Sequence, residues 1–324
     1  MKKFVLLIIC VLVIGSIVFM SFYKKEDTNL KKVRVAEVTH SIFYAPQYLA
    51  HSLGYFKDEG LDVEIILTSG ADKVTTAVLS GDVEIGFCGS EATIYVYNNG
   101  EEDYLVNFAG LTKKDGSFLV SRNKEDFDIK NLVGKHIIAG RKAGMPAMTL
   151  EYALNINGVK TSEVNFDTSI DFASTTGAFI GGTGDYVSVF EPTASSLEKQ
   201  GVGYIVASIG ELGGTVPYTA YNARLSYIEN NKDVIKGFTK AIDKALVYVK
   251  EHSSSEIAEV ISSYFPDTSL NDITSIVDRY KNIDAWFGST TISENDFNHV
   301  MDIMENANEL TNRAPYEKLV TSIK

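Results

Sequence analysis

From residue 33 the chain alternates between two periods. "VRVAEV" sets apolar and polar side chains on opposite faces with a strand's period of two. Ala45, Tyr48, Leu49 and Leu53 then recur at helical spacing, and Gly54 stands where a helix would be capped. The opening unit is predicted as strand, loop, helix, and it repeats. "DVEIILTS" reads as a strand, "ADKVTTAVLSG" as a helix with Val74, Ala77 and Val78 on one face, and "VEIGFCG" as a strand. The helix "EATIYVYNNG" and the strand "YLVNFAG" follow.

A second series starts at "SFLVSR" and runs through "KHIIAG", the helix "PAMTLEYALNING", "VNFDTS", a short helix near Phe172, "DYVSVF", the helix "PTASSLEKQG" and "YIVASIG". From "YTAYNAR" onward the pattern is helical only, and such a tail must pack on one of the earlier sheets. Strand and helix alternation predicts an α/β protein with largely parallel sheets flanked by helices. If the chain crosses near "SFLVSR" and returns near "YTAYNAR", two lobes are joined by a two-strand hinge. The expected division is 1–32 as an export signal or membrane anchor with its tether, 33–119 as the first part of lobe 1, 120–219 as lobe 2, and 220–324 as a return to lobe 1.

Composition narrows the function. The 324 residues are 45% hydrophobic and 22% charged, as in an ordinary folded protein. A formal net charge of -12 argues against a nucleic-acid partner, since phosphate binding needs clustered Lys and Arg. The apolar run Phe4 to Tyr23 follows Lys2 and Lys3 and is long enough to span a bilayer, whereas a signal-peptide core is usually about 7–15 residues. The globular part is expected outside the cytoplasmic membrane, tethered through this segment. Cys10 falls within the run, so Cys88 has no partner for a disulfide. P-loop, HExxH, GxSxG and GxGxxG patterns are absent, and the five histidines have no metal-ligand spacing. No catalytic residue, cofactor or metal is expected.

Ligands of open α/β sheets bind beyond the carboxyl ends of strands, at helix N-termini. Four loops qualify. In the first, Thr39, His40 and Ser41 offer hydrogen bonds and Phe43 and Tyr44 a flat wall, although Ser41 also suits a helix cap and Phe43 the core. In "FCGSEAT", Gly89 allows close backbone approach, Ser90 suits an N-cap, Thr93 sits one turn inside, and Glu91 suits either an amine or the helix dipole. "AGRKAGMPAMT" is a glycine-rich turn with Gly144, Met145 and Pro146, and with Arg141 and Lys142 free to meet an anion. In "VFEPTAS", Glu191 ends a strand and is a candidate acceptor.

The segments "YAPQYLAHSLGYFKDEGLDVEI", "GADKVTTAVLSGDVEIGF", "LVGKHIIAGRKAGMPAMTLEYAL" and "GDYVSVFEPTAS", in this order and spacing, resemble the periplasmic-type substrate-binding proteins of ABC importers in the sulfonate/nitrate/taurine and thiamine-pyrimidine group. The resemblance implies a type II-like periplasmic binding protein fold. It implies a small-molecule ligand delivered to a permease with a separate ATPase subunit, and ligand contacts around Ser41, Phe43, Tyr44, Ser90, Glu91, Gly144, Met145 and Glu191. A monomer is expected. The group includes a pyrimidine-synthesising enzyme branch with a cysteine-rich, iron-binding segment, which this chain lacks. Arg141 and Lys142 would suit a sulfonate. Phe43, Tyr44, Glu91 and Glu191 would suit an amino-substituted heterocycle, and carboxylates in a closed cleft oppose an anion, which favours the heterocycle. A ligand sensor is a further alternative.

Overall fold

The computed structural model describes residues 30–170 and 172–323, without the side chains of Phe172 and Ala173. The apolar leader and Cys10 lie outside the described residues. Ten strands occur among those described: β1 (Lys31–Glu37), β2 (Leu61–Leu67), β3 (Ile85–Gly89), β4 (Leu105–Thr112), β5 (Ser117–Ser121), β6 (His136–Ile138), β7 (Asn165–Asp167), β8 (Tyr186–Phe190), β9 (Tyr204–Ser208) and β10 (Thr219–Arg224). They form two five-stranded sheets, ordered β2-β1-β3-β10-β4 and β7-β6-β8-β5-β9, one in each lobe of an α/β fold.

Each sheet departs from the expected parallel arrangement at one strand. In the first, β1 and β3 run parallel, but β10 is antiparallel to both β3 and β4. In the second, β6 is parallel to β7 and β8, while β5 is antiparallel to β8 and β9. The stretch "YTAYNAR", read above as opening an all-helical tail, is therefore a strand inside the first sheet. The reversal follows from the crossings. β4 ends at the face where the lobes meet, so the chain enters the second lobe at that face and β5 must run away from it. β10 does the same on the way back.

The helices are amphipathic in the way their spacing predicts. Lys232–Glu251 buries Val234, Ile235, Phe238, Ala241, Ile242, Ala245, Leu246 and Val249 against the helices Ala45–Ser52 and Tyr55–Asp58. Leu270–Asn282 lies on the short 3-10 turn Ile42–Tyr44. The tail is not confined to one lobe: Glu294–Asn306 packs against both Glu91–Asn98 and Met145–Ile156, and Asn155 Nδ2 donates to Asn306 Oδ1 at 2.9 Å. A continuous apolar core runs from β1 and β3 through Phe43, Phe118, Tyr218 and Tyr280 to β8.

Candidate functional site

Two segments carry the chain between the sheets, 113–116 after β4 and 209–218 before β10. They are joined to each other, with Val216 N donating to Lys113 O and Tyr218 N to Thr112 O, both at 3.0 Å. At this junction the strand ends of the two lobes meet. Ser41 Oγ, beyond β1, donates to the carbonyl of Glu191, beyond β8, at 3.4 Å. Ser90 Oγ, beyond β3, donates to Pro217 O on the second crossing at 2.6 Å.

Three buried polar atoms in this region make no close hydrogen bond, Glu91 Oε2, Asp115 Oδ2 and Thr149 Oγ1, although the Tyr218 and Thr149 hydroxyls lie near enough to act on the Asp115 carboxyl. They come from three different parts of the molecule. Glu91 opens the helix Glu91–Asn98 of the first lobe, Thr149 lies on Met145–Ile156 of the second, and Asp115 is on the crossing. Burial pushes the Glu91 carboxyl up to about 7, opposed by its own backbone amide and by the charge of Arg141. Burial likewise raises Asp115 to about 6, although the Ser117 hydroxyl and amide, Tyr218 and Thr149 oppose the rise. Room for the Glu91 carboxylate exists because residue 89 is glycine, where a Cβ would lie 2.0 Å from Oε2.

Aromatic rings wall the region. Phe43 is buried against Tyr44, Phe190, Tyr218 and Tyr280, and its ring fills the space above Gly116, where a Cβ would approach to 2.7 Å. Tyr44 meets the Phe87 ring edge-on at 4.5 Å, and burial raises its hydroxyl well above the ordinary range. Tyr95 OH reaches Met148 Sδ across the lobes at 3.9 Å. Surface depressions of about 410 and 680 Å³ lie elsewhere, beside Thr193–Lys199 and along Lys240–His252. Neither is lined by Glu91, Asp115 or Thr149.

The structure gives the sequence candidates unequal positions. Ser41 caps the 3-10 turn by accepting from Phe43 N at 3.2 Å. Ser90 does not cap its helix; its backbone is already helical, with φ -67 and ψ -20, which turns Oγ away from the first amides. Thr93 is spent within its lobe, donating to Ser90 O at 2.9 Å and accepting from Asn107 Nδ2 at 2.8 Å. Glu191 is not the free acceptor expected from its position. Its carboxylate accepts from Ser195 N at 2.9 Å and Ser195 Oγ at 2.8 Å and pairs with Arg279 at 3.2 Å, so it caps a helix and anchors the tail. Arg141 is exposed, whereas Gly144 and Met145 are buried at the start of their helix. Lys142 faces Glu309 of the tail at 3.8 Å. His40 turns to other partners: Nδ1 meets Glu37 Oε1 at 2.9 Å, Nε2 meets Tyr264 O at 2.9 Å, and the ring stacks on Phe265.

Asp115, Thr149 and Tyr218 were not legible as site residues. "KKDGS" carries only a turn signal, Thr149 falls inside a helical pattern, and Tyr218 stands at the start of what read as a tail. Chemically, the region holds acceptors, a hydroxyl and flat apolar walls. The Cys88 thiol beside it is fully buried and pushed up to about 12, mainly by burial, so it is a poor nucleophile.

The family model described as NMT1/THI5 like matches residues 42–255. "Putative binding protein YtlA" of Bacillus subtilis (strain 168) is 45% identical over 91% of this chain and 89% of its own length. A 4-amino-5-hydroxymethyl-2-methylpyrimidine phosphate synthase of Candida albicans (strain WO-1) is 26% identical over 67% of this chain and 66% of its own. Among solved structures, the periplasmic aliphatic sulphonate binding protein SsuA from Escherichia coli superposes with a TM-score of 0.70 at 17% identity, covering 89% of this chain and 97% of that one. The periplasmic nitrate-binding protein NrtA from Synechocystis PCC 6803 gives 0.62 at 16% identity, covering 76% and 69%. These likenesses agree with a two-lobe periplasmic binding protein fold.

Proposed function

Because this chain belongs to the NMT1/THI5-like family, we propose that it is the extracytoplasmic solute-binding component of an ABC importer. It captures a small organic nutrient between its lobes and delivers it to a permease driven by a separate ATPase subunit. The ligand is a pyrimidine-like amino heterocycle. The observation that carries this reading is the meeting of the strand ends of the two lobes around the buried carboxyls Glu91 and Asp115, with Glu91 Oε2 lacking a hydrogen-bond partner beside aromatic walls. A buried acceptor without a partner costs about 1–3 kcal/mol, and a ligand N–H would remove that cost. Glu91 and Asp115 oppose the sulfonate or nitrate of the structural neighbours, because burial already disfavours their own negative charge and an anion beside them would raise that cost.

The kinship with a pyrimidine phosphate synthase brings the same heterocycle into the family, and binding without turnover is the reading supported by the 45% identity to a relative named as a putative binding protein. Residues 1–32 serve as the export signal or membrane anchor. A sensor role would use the same cleft with a different neighbour, which co-purification of a permease distinguishes.

The test is thermal unfolding of the purified protein against 4-amino-5-hydroxymethyl-2-methylpyrimidine, other pyrimidines, flavins, aliphatic sulfonates, taurine and nitrate. A ligand at about 100 times its Kd adds about 2.7 kcal/mol to the folded state. Stabilisation by aminopyrimidines alone is expected. Stabilisation by sulfonates, taurine or nitrate instead would replace the proposed cargo.

A further inference from the structure

Away from the cleft residues, the helices Leu270–Asn282 and Thr193–Lys199 are joined by charge across the two lobes. The first helix belongs to lobe 1, where it packs on Ser254–Ile261 and on the 3-10 turn Ile42–Tyr44. The second belongs to lobe 2, seated on β8 and β9. Arg279 of the first reaches across with both arms of its guanidinium. Its Nη1 meets Glu191 Oε1 at 3.2 Å, its Nη2 meets Glu198 Oε2 at 3.6 Å, and its Cζ lies 5.6 Å from the centre of the Phe118 ring on β5. Lys199 answers from lobe 2 by pairing with Asp272.

These pairs do not carry equal weight. The Glu198 arm and the Lys199–Asp272 pair are partly open to solvent, where ion pairs contribute little. The Glu191 side chain, in contrast, is 0% exposed. Its hydrogen bonds from Ser195 N and Ser195 Oγ come from its own lobe and would survive a separation of the lobes. Its partners from lobe 1 are Ser41 and Tyr280, which bond its backbone, and Arg279, which meets its charge. Bringing the lobes together therefore takes a carboxylate out of water, and a buried charge is tolerated when a counter-charge comes with it.

We propose that Arg279 is an ionic latch: its charge compensates Glu191 as the lobes meet, so that the tail helix biases the protein towards the closed arrangement before any solute contributes. The inference rests on the two-lobe fold and its ion pairs, and not on which solute is carried. Arginine suits this role better than lysine, because its planar fork serves Glu191 and Glu198 at once and can lie on an aromatic ring.

The experiment is small-angle scattering of the full-length protein without ligand, with far-UV circular dichroism and thermal unfolding as controls of folding. Arg279→Gln is expected to shift the radius of gyration above the wild-type value while the far-UV spectrum stays unchanged. The double variant Arg279→Gln, Glu191→Gln removes both charges and is expected to return to the wild-type radius, since no buried carboxylate is left to compensate. A radius of Arg279→Gln equal to the wild type overturns the inference. A double variant as expanded as the single one also overturns it, since the arginine would then act by its bulk and not by its charge. If Arg279→Gln does not fold, the double variant decides alone: recovery of cooperative unfolding at the wild-type radius supports the latch, and failure to fold overturns it.

Discussion

Glu91 and Glu191 both follow the carboxyl end of a strand, both are buried, and they have opposite fates. Glu191 is satisfied by Ser195 and Arg279, while Glu91 keeps one oxygen without a partner. The difference shows in pH dependence. Glu91 binds its proton more tightly in the folded state, about 7 against an ordinary 4.5, so its contribution to stability is complete below 4.5 and is lost as pH rises through 7. Asp115 has the same sign, from 3.8 to about 6. The ligand-free protein is therefore expected to melt lower at pH 7.5 than at pH 5, and Glu91→Gln should flatten that slope and raise the pH 7.5 value by about 2–4 °C per kcal/mol recovered. A Glu91→Gln profile parallel to the wild type would contradict this.

His40 adds to the same trend by another route. Both ring nitrogens face acceptors, Glu37 Oε1 and the Tyr264 carbonyl, so the geometry holds the imidazolium and its pKa is raised, first by the Glu37 hydrogen bond. That stability is full below about 6.5 and is lost as pH climbs through the raised value. In urea titrations, His40→Gln should lose more stability at pH 6 than at pH 9. An equal loss at both would show that the ring acts by packing alone. Residue type and position made Glu91 and His40 visible as candidates. Which of them is spent on other parts of the protein was not visible, because Tyr264 and Phe265 come from the far end of the chain.

At the scale of elements, the helix Leu270–Asn282 acts as a clasp. Tyr280 OH accepts from Glu191 N at 3.3 Å and donates to Gly116 O at 3.2 Å, joining the end of β8 to the first crossing. Tyr280→Phe leaves both backbone groups buried and unpaired, and should cost about 1–3 kcal/mol in urea unfolding with an unchanged far-UV spectrum. An undiminished midpoint would mean that ring packing alone carries the contact. The helix itself was legible from its apolar spacing. Its role as a clasp was not, since nothing in "SIVDRYK" distinguishes a tyrosine facing the core from one facing a crossing strand.

For the whole molecule, the two crossings are the places where the chain can bend without breaking either sheet. Small-angle scattering of the protein is expected to show a smaller radius of gyration with a saturating ligand than without one. A radius indifferent to a ligand already proven by calorimetry would argue for a rigid cleft.

The sequence by itself determined the family and the elements other than β10. Period-two and period-3.6 patterns depend on near neighbours, and the order of "GYFKDEGLDV", "SGDVEIGF" and "GDYVSVFEPTAS" survives without knowledge of contacts. The tertiary structure alone decided the reversed strands β5 and β10, the engagement of Glu191, and the burial of Asp115 and Thr149 side by side where the lobes meet. The physical reason is that strand direction follows from where a crossing enters a sheet. Whether a buried carboxylate is satisfied depends on groups brought to it from distant parts of the chain, and no local pattern encodes those.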